Sequence, residues 1–223
     1  MCGRFAQFSP GKIREIFDIR DANDRAADLP FNYNAAPTDT VRVVVKEDER
    51  VILPVRWEML TAWSRGKSYK LINIRDDTLR KAGGTFEENF RRMRCIIPAD
   101  GFFEWQKTEV RKPFYIRLKS GLPMAMAGLF NILDEAVSCA VITARANSLL
   151  EIIHDKKRMP VILPESRWDE WLDNSRFDRE SLLASLAPYP AEEMEAYAVT
   201  DRVNSPLGSD PEYVTRKGDI LNG

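Results

Sequence analysis

An α+β fold is predicted for this 223-residue chain: a twisted, mostly antiparallel or mixed sheet of barrel-like form, with helices at its periphery. Three observations predict it. Short apolar or alternating runs outnumber helical patterns. They follow one another at short intervals without regular strand–helix alternation, which argues against a parallel βαβ sheet. No repeat, low-complexity run or linker divides the chain, so residues 1–223 are expected to form one domain. With 44% hydrophobic residues, such a chain is long enough to bury a substantial core.

The first element is a helix over Lys12–Asp21, where Ile13, Ile16 and Phe17 fall on one stripe. Val41–Val45 and Arg50–Trp57 read as strands, and the run LINIRDD, taken as a strand, turns Asn73 and Arg75 to the same side. Cys95–Ile97, Gly101–Trp105, Phe114–Leu118, Met124–Leu129 and Ala136–Thr143 continue the strand pattern, punctuated by Pro, Gly and Asp. Asn147–His154 reads as a helix with Asn147 as its cap, and Pro160 stops it. Val161–Leu163 is another apolar run, and Glu165–Leu172 and Arg179–Leu186 are helical patterns.

Composition narrows the functional classes. No apolar stretch approaches the roughly 20 residues that span a bilayer, and the N-terminus reaches charge before any signal-peptide core forms, so a soluble, cytosolic protein is expected. Three widely spaced cysteines, Cys2, Cys95 and Cys139, form neither a disulfide framework nor a CxxC pattern. The single histidine, His154, and the scattered carboxylates show no ligand spacing, and no metal or other cofactor is expected. The net charge of −1 hides a segregation: from Pro164 onward there are 6 Lys+Arg against 13 Asp+Glu, and before it 27 against 21. A basic body with an acidic C-terminal region is compatible with a phosphate-bearing partner, although charge runs are also ordinary solvated faces.

Cys2 follows Met1 directly, and its small side chain permits removal of that methionine. Removal exposes a 1,2-aminothiol, whose amine condenses with an aldehyde and whose sulfur then closes a five-membered thiazolidine. With reference pKa values of about 7.7–8.0 and about 8.5, amine and thiol are both partly activated near neutrality. Read by itself, the residue is a small packed hydrophobe sooner than a nucleophile, because a lone cysteine is more often packed than reactive. Glu104, in PADGFFEW, is placed by strand alternation on the face opposite Phe103 and Trp105. A carboxylate in apolar surroundings suits proton transfer, and a solvent-facing one does not. His154 ends a helical face beside Asp155, Lys156, Lys157 and Arg158, as an acid–base group or a helix-end cation.

Nucleic acid is recognised without base readout by aromatic faces beside basic groups. Arg4 and Phe5 adjoin Cys2, Trp57 and Trp63 precede Arg65 and Lys67, and Arg91, Arg92 and Arg94 cluster before Cys95. Asn34, in NYNAAPT, can donate to a ligand or serve a turn. Core packing is the alternative for Phe5 and Trp57, and a solvated helix end for Arg91 and Arg92.

In this order MCGRF, NYNAAPT, LINIRDDT, FRRMRCIIPADGFFEW, AGLF, ITARAN and HDKKRMPVIL, with VTDRVNSP near the end, closely resemble the SRAP family, named for SOS-response-associated peptidase. The resemblance implies a covalent sensor of abasic sites in single-stranded DNA, built on twisted β-sheet with peripheral helices. Cys2 aligns with the family's nucleophile, Asn73 with the asparagine beside it, Glu104 with its acid–base glutamate and His154 with its histidine. Arg4, Phe5, Trp63 and Arg75 fall where that family contacts DNA, and Asn34, Arg91 and Arg92 are further candidate contacts. Phe103 and Phe130 depart from the family's usual tyrosine and tryptophan, and Trp63 lacks a second adjacent tryptophan. The expected protein is a monomer, associated with the nucleoid when bound, that shields the lesion as a thiazolidine cross-link, with associated lyase chemistry and peptidase-type loss of Met1. Its rivals are a cysteine peptidase or amidohydrolase with Cys2 as nucleophile, and a non-covalent single-strand binding module.

Overall fold

The computed structural model describes residues 2–64, 70–106, 111–153 and 157–223. In chain order these form β1 (Phe5–Gln7), α1 (Pro10–Ile16), β2 (Asn32–Ala35), β3 (Thr40–Lys46), β4 (Arg50–Trp57), β5 (Asn73–Arg75), α2 (Asp76–Leu79), α3 (Glu87–Arg92), β6 (Arg94–Ala99) and β7 (Gly101–Gln106). There follow β8 (Lys112–Leu118), β9 (Met124–Leu133), β10 (Ala136–Arg145), α4 (Ser148–Ile153), β11 (Arg158–Pro160), α5 (Trp168–Leu172), α6 (Arg179–Ala184), β12 (Met194–Ala198) and β13 (Ile220–Asn222). The fold is α+β, with a mixed sheet closed into a barrel, an antiparallel sheet against it and few helices.

The barrel closes through β10, β4, β3, β6 and β9, because β9 and β10 also pair with each other. Its longest hairpin, β9–β10, turns at Asp134 and Glu135, both at positive φ (48° and 66°), the geometry of a two-residue turn whose twist suits the flanking strands. Strand β10 takes β4 and then β5 as successive parallel partners along one edge. The second sheet runs β13-β12-β8-β7-β1-β2.

Alternation along the barrel strands builds two cores. Val41, Val43, Val45, Val55, Cys95, Ile97, Cys139 and Val141 face the core shared with the second sheet. Val44, Ile52, Ile96, Ala140 and Ile142 face outward under Ile13, Phe90, Trp171 and Leu182 of the helices. Side chains of both parities are therefore buried, which is why these strands read as near-continuous apolar runs. A third cluster, with Phe103, Tyr115, Tyr197, Val203 and Tyr213, covers the other face of the second sheet.

Several boundaries differ from the sequence reading. The first helix occupies Pro10–Ile16 rather than Lys12–Asp21: proline opens it, and Asp18, at φ 50°, leaves the helical region. Glu165–Leu172 divides into a 3₁₀ turn over Glu165–Arg167 and α5. Asn147 caps α4 through Oδ1, which accepts the Leu150 N–H at 3.1 Å. The sequence reading missed β1, β2, β12 and β13, which are three to five residues long and carry too little pattern to register.

Candidate functional site

The site is assembled at the N-terminal end of β1. Phe5 pairs with Phe102 and Ala6 with Gly101 of β7, and the ladder extends one step further, where the Phe103 N–H donates to the Arg4 carbonyl at 3.0 Å. Gly101 permits this junction, because a Cβ there would lie 2.4 Å from the Tyr115 ring and 2.6 Å from the Ile116 carbonyl. The same Arg4 carbonyl accepts from the Cys2 thiol at 3.7 Å. Cys2 is fully buried, packed in the shared core with Phe5, Phe102 and Trp57.

Glu104 stands on β7 opposite Phe114 and is 2% exposed. Alternation puts it on the face of Phe102, toward Cys2, while Phe103 and Trp105 join the cluster on the other side of the sheet. Burial pushes the Cys2 thiol well above its ordinary range, and the negative charge of Glu104 pushes it further.

Asn73 arrives from the barrel. Its strand lies parallel to β10, with Asn73 beside Val141, and its Nδ2 donates to the Cys2 carbonyl at 2.7 Å. Its Oδ1 is buried with no hydrogen-bond partner among the described residues. Helix α4 closes the floor: Leu149, Leu150 and Ile153 share the core with Cys2, and Gln106 at the end of β7 donates to the Ile152 carbonyl at 3.4 Å. Met1, Arg65, Lys67 and His154 lie outside the described residues. Among the described residues no group of three or more His, Cys, Asp or Glu could hold a metal ion, and no helix is long and apolar enough to cross a membrane.

The expected DNA-contacting residues scatter. Trp63 is 40% exposed on a 3₁₀ turn, edge-on to Phe86 at 6.0 Å. Arg75 is exposed and paired with Asp77, its Nε 3.0 Å from Oδ2. Phe5 offers no stacking face: it is fully buried, with its ring centroid 4.6 Å from that of Trp57. Asn34 is not a turn residue but part of β2, 1% exposed, with its amide bonded inward to Arg4 and to the Ser205 carbonyl. Arg91 and Arg92 pair with Glu87 and Glu88 on α3, whose Phe90 packs into the helix-side core rather than the core of Cys2. Arg4 is half-buried and bonded to the segment around Val203–Ser205.

Sequence reasoning assigned no role to that segment or to Arg158. Arg158 reaches from β11 to Asp76 at 2.9 Å, directly after β5, and tethers the Asn73 strand to the chain beyond α4. Only the presence of both residues in extended motif matches hinted at this.

A family model described as SOS response associated peptidase (SRAP) matches residues 1–206. The abasic site processing protein YoqW of Bacillus subtilis is 36% identical over 96% of this chain and 99% of its own length. The abasic site processing protein YedK of Escherichia coli is 31% identical over 96% and 99%. A crystal structure of a Bacteroides thetaiotaomicron protein superposes with a TM-score of 0.76 at 23% identity, over 97% of this chain and 98% of that one, and so shares the fold.

Proposed function

The chain belongs to the SRAP family, and on that footing we propose that it processes abasic sites in single-stranded DNA, by a covalent cross-link through Cys2. Loss of Met1 frees the Cys2 amine. The amine attacks the open-chain aldehyde of the abasic deoxyribose, forming a C–N bond, and the carbinolamine loses water to give an iminium. The Cys2 sulfur then adds to that carbon while its proton passes to Glu104, and the thiazolidine ring is closed.

The observation that carries this reading is the convergence of Asn73 and Glu104, from different sheets, on residue 2. A thiol held protonated does not compete for the aldehyde, so the amine reacts first, and the sulfur follows with an effective concentration on the order of 10⁵ M. Rapid closure protects the strand, because an iminium left open acidifies the neighbouring carbon and expels the 3′ phosphate. The buried Oδ1 of Asn73, without a hydrogen-bond partner among the described residues, is an acceptor ready for the freed amine or a sugar hydroxyl. His154 is assigned to protonation of the sugar oxygen. Exposed Trp63 and Arg75, on either side of Asn73 in the chain, supply stacking and phosphate contacts without a base code. Single strands are preferred because a duplex must first extrude the sugar.

A cysteine peptidase needs a thiolate, and burial and Glu104 both act against one here. The intact mass of the purified protein, with and without an abasic single-stranded oligonucleotide, tests the proposal. Loss of one methionine and a one-to-one, denaturation-resistant adduct are expected; Cys2→Ser, which keeps the amine, forms no stable ring. Binding without any adduct would leave a non-covalent module.

A further inference from the structure

The guanidinium of Arg4 is enclosed by acceptors of the protein itself. Its Nη1 donates to Asn34 Oδ1 at 2.8 Å, to the Val203 carbonyl at 2.9 Å and to the Ser205 carbonyl at 3.3 Å, and its Nη2 donates to the Asn204 carbonyl at 3.3 Å. Asn34 completes the ring, since its Nδ2 donates to the Ser205 carbonyl at 2.9 Å. The strap that supplies these carbonyls is itself fastened. Val203 is fully buried beside Phe103 and Tyr213, and Asn204 Oδ1 accepts from Trp105 Nε1 at 2.6 Å. The main chain of Arg4 meanwhile joins both reacting residues, because its carbonyl accepts from the Cys2 thiol and from the Phe103 N–H next to Glu104.

We propose that Arg4 is a positioning residue rather than a phosphate ligand: Asn34 and the carbonyls of Val203, Asn204 and Ser205 hold its guanidinium, and its backbone thereby fixes Cys2 beside Glu104. At Nη1 and Nη2 a phosphate would have to compete with four acceptors already at hydrogen-bond distance. The two Nη atoms of the planar fork reach four acceptors from two chain segments, more than the three N–H donors of a single ammonium can satisfy. A reacting group displaced by about 1 Å loses on the order of 100-fold in rate. The consequence for the cross-linking reaction rests on Cys2 being the reacting residue; the immobilisation of Cys2 does not.

The test compares Arg4→Gln, Arg4→Lys and Asn34→Ala with the unmodified sequence in two assays. In the first, adduct formation with an abasic single-stranded oligonucleotide is followed against DNA concentration and salt. The saturating rate is expected to fall at least tenfold in all three variants, with half-saturation and salt dependence unchanged. A phosphate ligand behaves otherwise: Arg4→Gln would raise the half-saturating concentration and reduce the salt slope by about 1, and Arg4→Lys would restore binding. In the second, iodoacetamide labelling is mapped by mass. Cys2 is expected to label faster in the variants while Cys95 and Cys139 stay protected, a local loosening that general destabilisation does not mimic. Unchanged Cys2 protection, or a change in DNA affinity in place of rate, overturns the inference. An unmodified protein that forms no adduct overturns the cross-linking function, and the labelling assay still decides whether the strap holds Cys2.

Discussion

Asn73 donates from Nδ2 to the carbonyl of Cys2 at 2.7 Å, a contact between residues 71 positions apart in the chain. It ties the barrel, through β5, to the segment that leads into β1 of the second sheet. The residue that carries the proposed chemistry is thus held from both sheets, by Asn73 from one and by the β1–β7 ladder from the other.

Asn73→Asp replaces the donor with a carboxylate facing the Cys2 carbonyl. A lost hydrogen bond with a buried acceptor left opposite costs about 1–3 kcal/mol, so cross-linking should slow by roughly 5- to 150-fold. Single-turnover adduct formation measures this, and a rate within twofold of the unmodified protein would remove Asn73 from the site.

Glu104→Gln removes a proton acceptor and a charge together. Cross-linking should fall by about 10²- to 10⁴-fold, the usual range for a lost acid–base group. Because the Glu104 charge raises the Cys2 thiol, its removal should also shift the labelling of Cys2 toward lower pH. Burial, the larger cause, remains, so the midpoint stays above that of an exposed cysteine.

Alkaline pH should destabilise the fold. Burial in the barrel raises the thiols of Cys95 and Cys139 well above their ordinary range. Raised groups stabilise the folded state fully below the unfolded pKa, and that contribution is lost as pH rises, because the unfolded chain releases protons that the folded one retains. Each thiol costs the folded state about 1.4 kcal/mol per pH unit above roughly pH 8.5. Urea unfolding at pH 8 and pH 10 should therefore show a drop in stability, and Cys139→Ala should lessen it.

Arg94 is a structural hub. It is fully buried and donates to the carbonyls of Phe90, Arg91, Trp171, Asp173 and Arg176 at 2.5–3.0 Å, joining α3, α5 and the loop beyond. Burial holds its pKa down at about 10. Arg94→Ala strands those carbonyls and should cost about 3–5 kcal/mol in unfolding free energy. Arg94→Lys should recover less than half of that, because one ammonium cannot reach three chain segments.

Much of the fold was legible because strand and helix periods are local. The runs Val41–Val45 and Arg50–Trp57 lie within β3 and β4, and Asn147 caps α4 as its position suggested. The face of Glu104 was legible for the same reason, since a period of two fixes sidedness relative to Phe103 and Trp105. Exposure was not. Phe5 and Asn34, which have the chemistry of ligand contacts, are buried, because strands at positions 7, 32 and 101 meet and leave them no solvent.

The sequence by itself determined the longer strands and several helices, the α+β class and the motifs that mark the family, all of which depend on residues near one another in the chain. Only the tertiary structure decided that Cys2 lies buried between Asn73 and Glu104, and that Arg4 is spent on the Val203–Ser205 strap. Those contacts span 71 to 201 residues, and hydrogen bonds of that range follow from strand order and register, which local pattern does not encode.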